Sequence, residues 1–227
     1  MNVACIDLEG VLIPELWPHI ASVTGVQELA ITTREEPNYP RLVERRLGLL
    51  KQKNMRLRDV QATLADMTPL PGALDFLTAL KSRWRLLLVS DAFDEMVRPL
   101  WLKLGSPELR CHRLVCDAAG YIQRAHYTRQ LGKHEVINDL AANGCRTMAV
   151  GDAFNDLTML RHADIGFLFR PSPQTLESSQ DLRVVQQYEE ILDALSNFEL
   201  EASPTLRMEH VNHPARPLSA FSRRISD

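Results

Sequence analysis

The sequence predicts an α/β protein with a doubly wound (Rossmann-like) parallel sheet and a small helical cap inserted after the first strand. Two observations lead to this prediction. Short apolar runs alternate with segments of helical spacing, and one long stretch near the N-terminus is helical throughout. The chain has 227 residues, 45% of them hydrophobic, so it can bury a core without disulfides. We expect a core of residues 1–14 and 69–198, a cap of residues 15–68 and a flexible tail of residues 199–227.

Four apolar runs of strand length are expected to form the sheet, because runs that are apolar on both faces suit parallel strands covered by helices. They are residues 3–6, 85–89, 146–150 and 165–169. Between and after these runs, apolar residues recur at helical spacing. The predicted helices are residues 71–83, 93–104, 133–143 and 154–162.

Three segments depart from this alternation. Residues 15–68 contain several helical stretches and no convincing strand, which indicates an inserted cap. Residues 111–116 and 121–126 flank a short polar turn and are predicted to form a hairpin beside the main sheet. Beyond residue 198 the periodicity fades, which favours a loose tail.

Charge and composition exclude several classes of function. The chain has 26 Lys and Arg against 29 Asp and Glu, so neither nucleic acid nor an anionic membrane is expected as a partner. No basic, apolar signal segment opens the chain. The cysteines show no metal-ligand spacing and are interpreted as reduced thiols of a cytoplasmic protein: Cys5, Cys111, Cys116 and Cys145. Nothing in the sequence indicates an oligomeric state.

Carboxylates follow two of the predicted strands directly. Asp7 ends the first run with Glu9 two residues later, and Asp152 and Asp156 follow the run 146–150. Ligands of open α/β sheets bind at the carboxyl ends of the strands, so these acids are expected to meet there. Crowded carboxylates raise one another's pKa values unless a cation compensates, and a set of oxygen ligands suits Mg²⁺. The sequence therefore predicts a magnesium site.

Groups that suit a phosphate are predicted at the same edge. Ser90 and Asp91 end the run 85–89 and offer a hydroxyl and backbone N–H groups, while Lys133 stands at the start of a predicted helix. A hydroxyl, helix N-terminal amides and an ammonium together can hold a phosphate. Two simpler interpretations stay open: Ser90 as a helix N-cap and Lys133 as a solvated lysine.

These residues resemble, in order and separation, the four motifs of the haloacid dehalogenase superfamily: Asp7-x-Glu9-Gly10-Val11, Ser90, Lys133 and Gly151-Asp152-x-x-Asn155-Asp156. The cap is similar to that of the phosphoserine phosphatase branch. Further phrases resemble the branch's bifunctional phosphoserine phosphatase/homoserine phosphotransferase members: Pro14-Glu15, Thr32-Thr33-Arg34, Ser90-Asp91-x-Phe93 and Asn155-Asp156-x-Thr158-Met159-Leu160. The similarity runs from about residue 2 to about residue 193.

The resemblance implies roles for the acids. Asp7 would attack phosphorus and form an aspartyl phosphate, while Glu9 would act first as general acid and then as general base. Mg²⁺ would be held by Asp7, Asp152 and the backbone carbonyl of Glu9, with Asp156 nearby or behind a water. The substrate and its phosphate would be bound by Glu15, Arg46, Ser90, Asp91, Lys133 and Asn155.

Arg46 and Glu15 carry the expected specificity. The resemblance implies that Arg46 clamps an amino acid carboxylate and that Glu15 faces the ammonium. Arg46 lies near the apolar face of residues 41–53, and its alternatives are to reach solvent or to pair with Glu44 or Glu15.

The implied activity is Mg²⁺-dependent hydrolysis of O-phospho-L-serine, with homoserine as an alternative acceptor. Two rival functions stay open: a phosphatase of the same superfamily for another small phosphate ester, and a catalytically silent binding protein. Arg46 and Glu15 favour an amino acid substrate, while the intact set of acids argues against a silent protein. Glu9 in place of the commoner aspartate and Asp91 after Ser90 are departures that the bifunctional members share.

Overall fold

The computed structural model describes residues 1–33 and 35–201, without the side chains of residues 197 and 199–201. The chain divides into two compact units, Met1–Leu192 and Asp193–Asp227, and the sheet and site described below belong to the first. The predicted tail, residues 199–227, begins inside a helix that runs to Glu201, and residues 202–227 lie outside the described part. Among the described residues, no helix is both long and apolar enough to cross a membrane.

The first unit contains one seven-stranded sheet. Its strands are β1 (Asn2–Ile6), β2 (Arg85–Phe93), β3 (Glu108–Cys116), β4 (Ile122–His126), β5 (Arg146–Gly151), β6 (Ile165–Phe169) and β7 (Arg183–Val185). Their order across the sheet is β4-β3-β2-β1-β5-β6-β7. The pair β3–β4 is antiparallel and the other neighbouring pairs are parallel, which confirms the predicted fold class.

Helices alternate with the strands. The described α-helices are α1 (Leu16–Thr24), α2 (Tyr39–Gln52), α3 (Leu57–Ala65), α4 (Ala73–Lys81), α5 (Asp94–Lys103), α6 (His134–Ala142), α7 (Leu157–His162), α8 (Pro173–Glu177) and α9 (Tyr188–Glu201). Two 3-10 helices span Gln27–Ala30 and Phe154–Asp156. Within the described residues between 15 and 68 there is helix and no strand, as the sequence pattern indicates.

Strand β1 lies at the centre of the sheet and determines where the site forms. Residues 3–6 have no solvent exposure, because β2 and β5 flank the strand and helices cover both faces. The backbone N–H of Asp7 donates to the carbonyl of Val150 at 2.9 Å, which extends the pairing with β5 by one residue. Asp7 is therefore placed at the carboxyl edge of the sheet.

The first backbone N–H groups of a helix have no partner inside the helix, and the residues at the start of α2 compensate for this. The Asn38 side chain accepts from the N–H of Arg41 at 3.1 Å, and Pro40 lies in the first turn, where a missing N–H does no harm. The helix buries Leu42, Val43 and other apolar residues on one face. The same face carries Arg46, which fixes this cationic residue inside the protein.

The predicted hairpin exists, but its predicted position beside the main sheet is wrong. β3 pairs with β4 in antiparallel register and also pairs in parallel with β2, so the hairpin extends the sheet itself. The pattern missed the first residues of β3 because Glu108 and Arg110 are polar and form an ion pair with each other. The three residues of β7 were not predicted, because so short a run shows no periodicity.

Strand β2 runs to Phe93, four residues beyond the predicted end at residue 89, and it is irregular. Its register with β3 shifts: Val89 lies opposite Arg110, and Phe93 lies opposite His112. Residues 90–92 of β2 therefore face the single residue 111 of β3. We call residues 90–92 the β2 bulge. A bulge bends the strand and leaves backbone groups without ladder partners, and this one contains Ser90 and Asp91.

Tyr188 connects the beginning of α9 to the loop that follows β1. Its ring stacks on Phe76 and on Phe169, with centroids 4.7 Å apart in both pairs. Its hydroxyl donates to the backbone carbonyl of Val11 at 2.5 Å, and the residue is 3% exposed. A residue late in the chain thus fixes the loop that carries Glu9.

Candidate active site

Three carboxylates and one ammonium meet at the carboxyl edge of the sheet. Asp7, Asp152 and Asp156 each present a carboxylate oxygen within 4.8 Å of the others. Lys133, immediately before α6, places Nζ 2.7 Å from Oδ1 of Asp7 and 2.7 Å from Oδ1 of Asp156. Lys133 is 2% exposed, so the alternative interpretation as a solvated lysine is wrong. The cluster joins groups from three separate parts of the sequence.

Burial and like charge determine the protonation of this cluster. Burial, followed by the charge of Asp156, raises the pKa of Asp7 well above its usual range, and Lys133 opposes the shift. Burial and Asp156 likewise raise the pKa of Asp152 to about 7. Burial alone would lower the pKa of Lys133, but Asp156 and Asp7 outweigh it and hold that pKa well above its usual range. Negative charge is in excess, so the cluster favours an added cation.

Two glycines leave the space that the carboxylates of this cluster occupy. Gly10 has a φ of +74°, and a Cβ at this position would lie 2.2 Å from Oδ2 of Asp152. A Cβ at Gly151 would lie 2.4 Å from the Cβ of Asp156. A larger residue at Gly10 would push the two acidic loops apart, and one at Gly151 would displace Asp156 within its own loop, so both glycines are part of the site.

The donor set fits Mg²⁺, because it consists of oxygens arranged around a shared volume. Asp156 is fully buried, and both of its oxygens already accept hydrogen bonds: Oδ1 from Lys133, and Oδ2 from the N–H groups of Asp152 and Ala153 at 3.1 Å. This arrangement suits Asp7 and Asp152 as direct ligands and Asp156 as a ligand through water.

Glu9 lies next to this cluster, in the loop that follows β1. Its Oε1 accepts from the backbone N–H of Leu16 at 2.8 Å, at the first residue of α1. Burial, and after it the nearby Glu15, raises the pKa of Glu9 to about 8. This raised pKa favours the protonated carboxyl, which is the form that a general acid requires. Glu15 itself is exposed, one residue before α1.

Ser90 and Asp91 lie in the β2 bulge, at the same edge. Ser90 is 1% exposed, and its Oγ accepts from the N–H of Ala92 at 3.1 Å. Oδ2 of Asp91 accepts from the Asn155 amide at 2.9 Å. Burial alone would raise the pKa of Asp91, but Lys133 and hydrogen bonds from neighbouring side chains outweigh it and lower that pKa. The Asp91 side chain is thus an anion paired with protein groups, and only its backbone N–H suits a phosphate.

Arg46 is buried on α2. It is 6% exposed, so the alternative in which it reaches solvent is wrong. Its guanidinium lies 4.6 Å above the ring of Trp17, and Nη2 donates to the carbonyl of Ile31 at 2.6 Å. Its Nε is buried without a hydrogen-bond partner. A buried donor without a partner is costly, which indicates a group prepared for a ligand.

Three residues around Asp91 were not predicted from the sequence. The Tyr39 hydroxyl donates to the backbone carbonyl of Asp91 at 2.5 Å, and Arg129 donates to its carboxylate at 3.0 Å. His112 places Nε2 3.6 Å from that carboxylate, and burial followed by Arg129 lowers the pKa of His112 to about 4. These residues come from α2, a loop and β3, so no local pattern in the sequence connects them.

Comparisons with known proteins agree with this geometry. The family model described as haloacid dehalogenase-like hydrolase matches residues 1–164. A phosphoserine phosphatase of Pseudomonas syringae pv. tomato is 35% identical over 191 residues, which are 84% of this chain and 81% of the relative. The phosphoserine phosphatase ThrH of Pseudomonas aeruginosa is 35% identical over 84% of this chain and 93% of its own length.

A solved structure is similar as well. The crystal structure of a phosphoserine phosphatase in apo form has a TM-score of 0.70 and 25% identity, covering 85% of this chain and 98% of that one. These matches confirm the resemblance that the motifs indicate, and they confirm a phosphatase type of enzyme.

Proposed function

Because this chain belongs to the haloacid dehalogenase-like hydrolase family, we propose that it hydrolyses O-phospho-L-serine and can pass the phosphoryl group to homoserine. The observation that carries the proposal is the position of Lys133, 2.7 Å from both Asp7 and Asp156 at the edge where ligands of such sheets bind. The relatives named phosphoserine phosphatase support the substrate. The second acceptor, homoserine, is proposed from the sequence motifs, including Glu9 and the Asp91 that follows Ser90.

In the first half-reaction, a carboxylate oxygen of Asp7 attacks phosphorus. A bond between this oxygen and phosphorus forms, and the bond from phosphorus to the serine oxygen breaks. Glu9, in its protonated form, gives its proton to the departing oxygen. Lys133 and the Ser90 hydroxyl hold the phosphoryl oxygens as their charge changes. The products are serine and an aspartyl phosphate on Asp7.

In the second half-reaction, Glu9 acts as a base. Its carboxylate takes the proton of a water or of the homoserine hydroxyl, whose oxygen then attacks phosphorus. The bond from phosphorus to Asp7 breaks, so the nucleophile is restored and inorganic phosphate or phosphohomoserine leaves. Glu9 is again protonated for the next cycle.

Asp7, Asp152 and the backbone carbonyl of Glu9 would hold Mg²⁺, with Asp156 acting through a water. When bound, the ion supplies positive charge to the phosphoryl oxygens and orients them toward the nucleophile. Without a cation, the excess negative charge of this cluster would repel a phosphate dianion.

We assign residues 15–68 as the cap that recognises the amino acid, and the rest of the first unit as the catalytic core. Arg46 supplies a buried guanidinium for the substrate carboxylate, and Glu15 supplies a carboxylate for its ammonium. The four cysteines are free thiols, which supports a reducing, cytoplasmic location.

The proposal is tested by incubating the enzyme and Mg²⁺ with phosphoserine, with and without homoserine. Inorganic phosphate and phosphohomoserine are measured, and a chelator serves as the control. We expect phosphate release that stops with the chelator, and phosphohomoserine when homoserine is present. Faster hydrolysis of a sugar phosphate or nucleotide would favour the other phosphatase. No hydrolysis of any ester would favour the silent protein.

Replacing Arg46 by alanine should weaken recognition of the amino acid selectively. Loss of a buried charged contact to a carboxylate should cost roughly 2–5 kcal/mol of transition-state binding for phosphoserine. This cost is measured as a fall in kcat/KM. Hydrolysis of an aryl phosphate, which has no carboxylate or ammonium, should change little. Arg45→Ala is the matched control, because Arg45 is the exposed neighbour on α2. Equal losses on both substrates would mean that Arg46 only holds the cap together.

Mg²⁺ should stabilise the enzyme in the absence of substrate. At a concentration about 100-fold above Kd, binding contributes about 2.7 kcal/mol. For a chain of this size the midpoint of thermal unfolding should rise by roughly 5–11 °C. Asp152→Asn should reduce this rise, and an equal ionic strength of NaCl should not produce it. An unchanged midpoint across millimolar Mg²⁺ would contradict the proposed metal site.

A further inference from the structure

The β2 bulge is held from one side by a buried guanidinium to which the mechanism above gives no role. We propose that Arg129 is a positioning residue, which fixes the β2 bulge in the shape that presents Ser90 to the phosphoryl group. This inference rests on the proposed phosphatase function. Arg129 lies in the loop before α6, four residues from Lys133, and it is 8% exposed.

Arg129 donates to backbone carbonyls of both strands beside the β2 bulge. Its Nη2 donates to the carbonyl of Ser90 at 2.6 Å, and its Nη1 donates to the carbonyl of Arg110 at 3.1 Å. Arg110 faces Val89, the last residue of β2 before the register shifts. The guanidinium therefore joins the two strands at the point where the ladder between them is interrupted. A bulge interrupts the hydrogen bonds between two strands, and here Arg129 donates hydrogen bonds to a carbonyl of each strand.

The same guanidinium fixes the Asp91 side chain. Its Nη2 donates to Oδ1 of Asp91 at 3.0 Å, and Oδ2 of Asp91 accepts from Asn155 at 2.9 Å. Asn155 belongs to the loop that also carries Asp152 and Asp156. Arg129 thus connects the β2 bulge, through Asp91, to the acidic loop on the other side of β1.

Charge is the second contribution of Arg129. Asp91 is an anion next to the place proposed for a phosphate dianion, and the two would repel each other. The guanidinium neutralises Asp91 through an ion pair in which Oδ1 lies 3.0 Å from Nη2. Asp91 can therefore hold Asn155 without excluding the substrate. Lysine could balance the charge, but its single nitrogen cannot reproduce the fork that reaches both strands.

One observation argues that Arg129 does more than stabilise the fold. Its Nε is buried without a hydrogen-bond partner. A buried donor without a partner costs stability, so the contacts of Arg129 are not the ones that would stabilise the fold most. The geometry is explained if the site requires the positions of the two terminal nitrogens, Nη2 on Ser90 and Asp91 and Nη1 on Arg110.

The test compares Arg129→Met and Arg129→Lys with the wild-type enzyme, and uses Arg113→Met as the matched control. Arg113 is on β3, its side chain is 61% exposed, and its removal changes the net charge equally. Three quantities are measured with Mg²⁺ present: kcat and KM for an aryl phosphate, the affinity for inorganic phosphate, and the midpoint of thermal unfolding. A double variant, Arg129→Met with Asp91→Asn, removes both charges together.

We expect kcat of Arg129→Met to fall by about 10²-fold, the effect typical of a small misplacement of groups around the reacting atoms. The affinity for inorganic phosphate should fall roughly tenfold, as for one lost hydrogen bond to an anion. Arg129→Lys should recover less than the whole loss. The double variant should regain thermal stability, because no buried charge is left alone, yet kcat should stay low. Arg113→Met should resemble the wild type.

A purely structural role predicts a different pattern. In that case Arg129→Met would lower the unfolding midpoint while kcat per folded molecule and phosphate affinity stay at wild-type values, and the inference would be overturned. Recovery of kcat in the double variant would overturn it as well. If the wild type hydrolyses no phosphate ester, the proposed function fails, but phosphate affinity still decides the role of Arg129.

Discussion

The Asp7→Asn variant should fold normally and release no measurable phosphate. The asparagine amide is nearly the same size and can still accept from Lys133 and from the N–H of Leu8, contacts that the carboxylate makes at 2.7 Å. It cannot form an aspartyl phosphate, because an amide is not a nucleophile of comparable strength. Removing the nucleophile of a covalent mechanism should lower kcat by roughly 10³–10⁶-fold.

The measurement follows both the product and the intermediate. Phosphate release is assayed beside circular dichroism, and labelled phosphoryl transfer to the protein is trapped by acid quenching. The wild type should carry label and Asp7→Asn should carry none. Asp139→Asn is the matched control, since Asp139 is exposed on α6 and away from the site. Turnover of Asp7→Asn near the wild-type rate would remove Asp7 from the mechanism.

The Lys133→Ala variant should lose both activity and stability. Lys133 is the ammonium that lies between Asp7 and Asp156, and its removal leaves two buried carboxylates without a counter-ion. Breaking a buried ion pair from one side costs roughly 3–5 kcal/mol. For a chain of this length, the midpoint of thermal unfolding should fall by roughly 6–20 °C. Mg²⁺ should restore part of this loss, because it supplies positive charge to the same oxygens.

The stability lost in the Lys133→Ala variant should depend on pH. The pKa of Asp7 in the folded protein is raised by burial and by Asp156, and Lys133 opposes this shift. Without Lys133 it rises further, so the folded state binds a proton that the unfolded state has released. Stability then falls as pH rises from the unfolded pKa of an aspartate, about 4, toward the folded pKa. The deficit of Lys133→Ala should thus be smaller near about pH 5 than near about pH 8.

Lys81→Ala controls for the loss of a lysine, because Lys81 is exposed in the last turn of α4. Its unfolding midpoint should match the wild type at both pH values. If Lys133→Ala were as stable as the wild type, or if its deficit grew at low pH, the charge of Lys133 would not stabilise Asp7 and Asp156.

The sequence predicts the sheet well because its central strands are buried on both faces. Residues 3–6, 148–150 and 165–169 are apolar without interruption, and a charged residue follows each run within two positions. The position of β3 was predicted wrongly and β7 was missed, because these strands lack such a continuous apolar run. These outer strands are short or partly polar, so their identity depends on which strand they pair with, and no local pattern contains that information.

The acids of the site could be predicted because each follows a strand directly, where topology brings strand ends together. Lys133 could be named from its place at the start of a predicted helix, but its contact with Asp7 could not be predicted, since that contact depends on the path of a loop. Tyr39 and Arg129 could not be named at all. Their contacts with Asp91 arise because the β2 bulge lifts this residue out of the ladder, and a bulge depends on the pairing of two strands rather than on one segment.

The central position of β1 sets an order of events while the chain is being synthesised. β1 is the first strand to be made, but its two neighbours begin at Arg85 and Arg146. Its edge toward β5 has no partner until more than half of the chain exists, and Tyr188, which fixes the following loop, is made later still. During that interval an apolar strand has an open edge that can pair with other chains. Nascent chains that stop before Arg146 therefore cannot assemble the site, and they carry the surface most prone to aggregate.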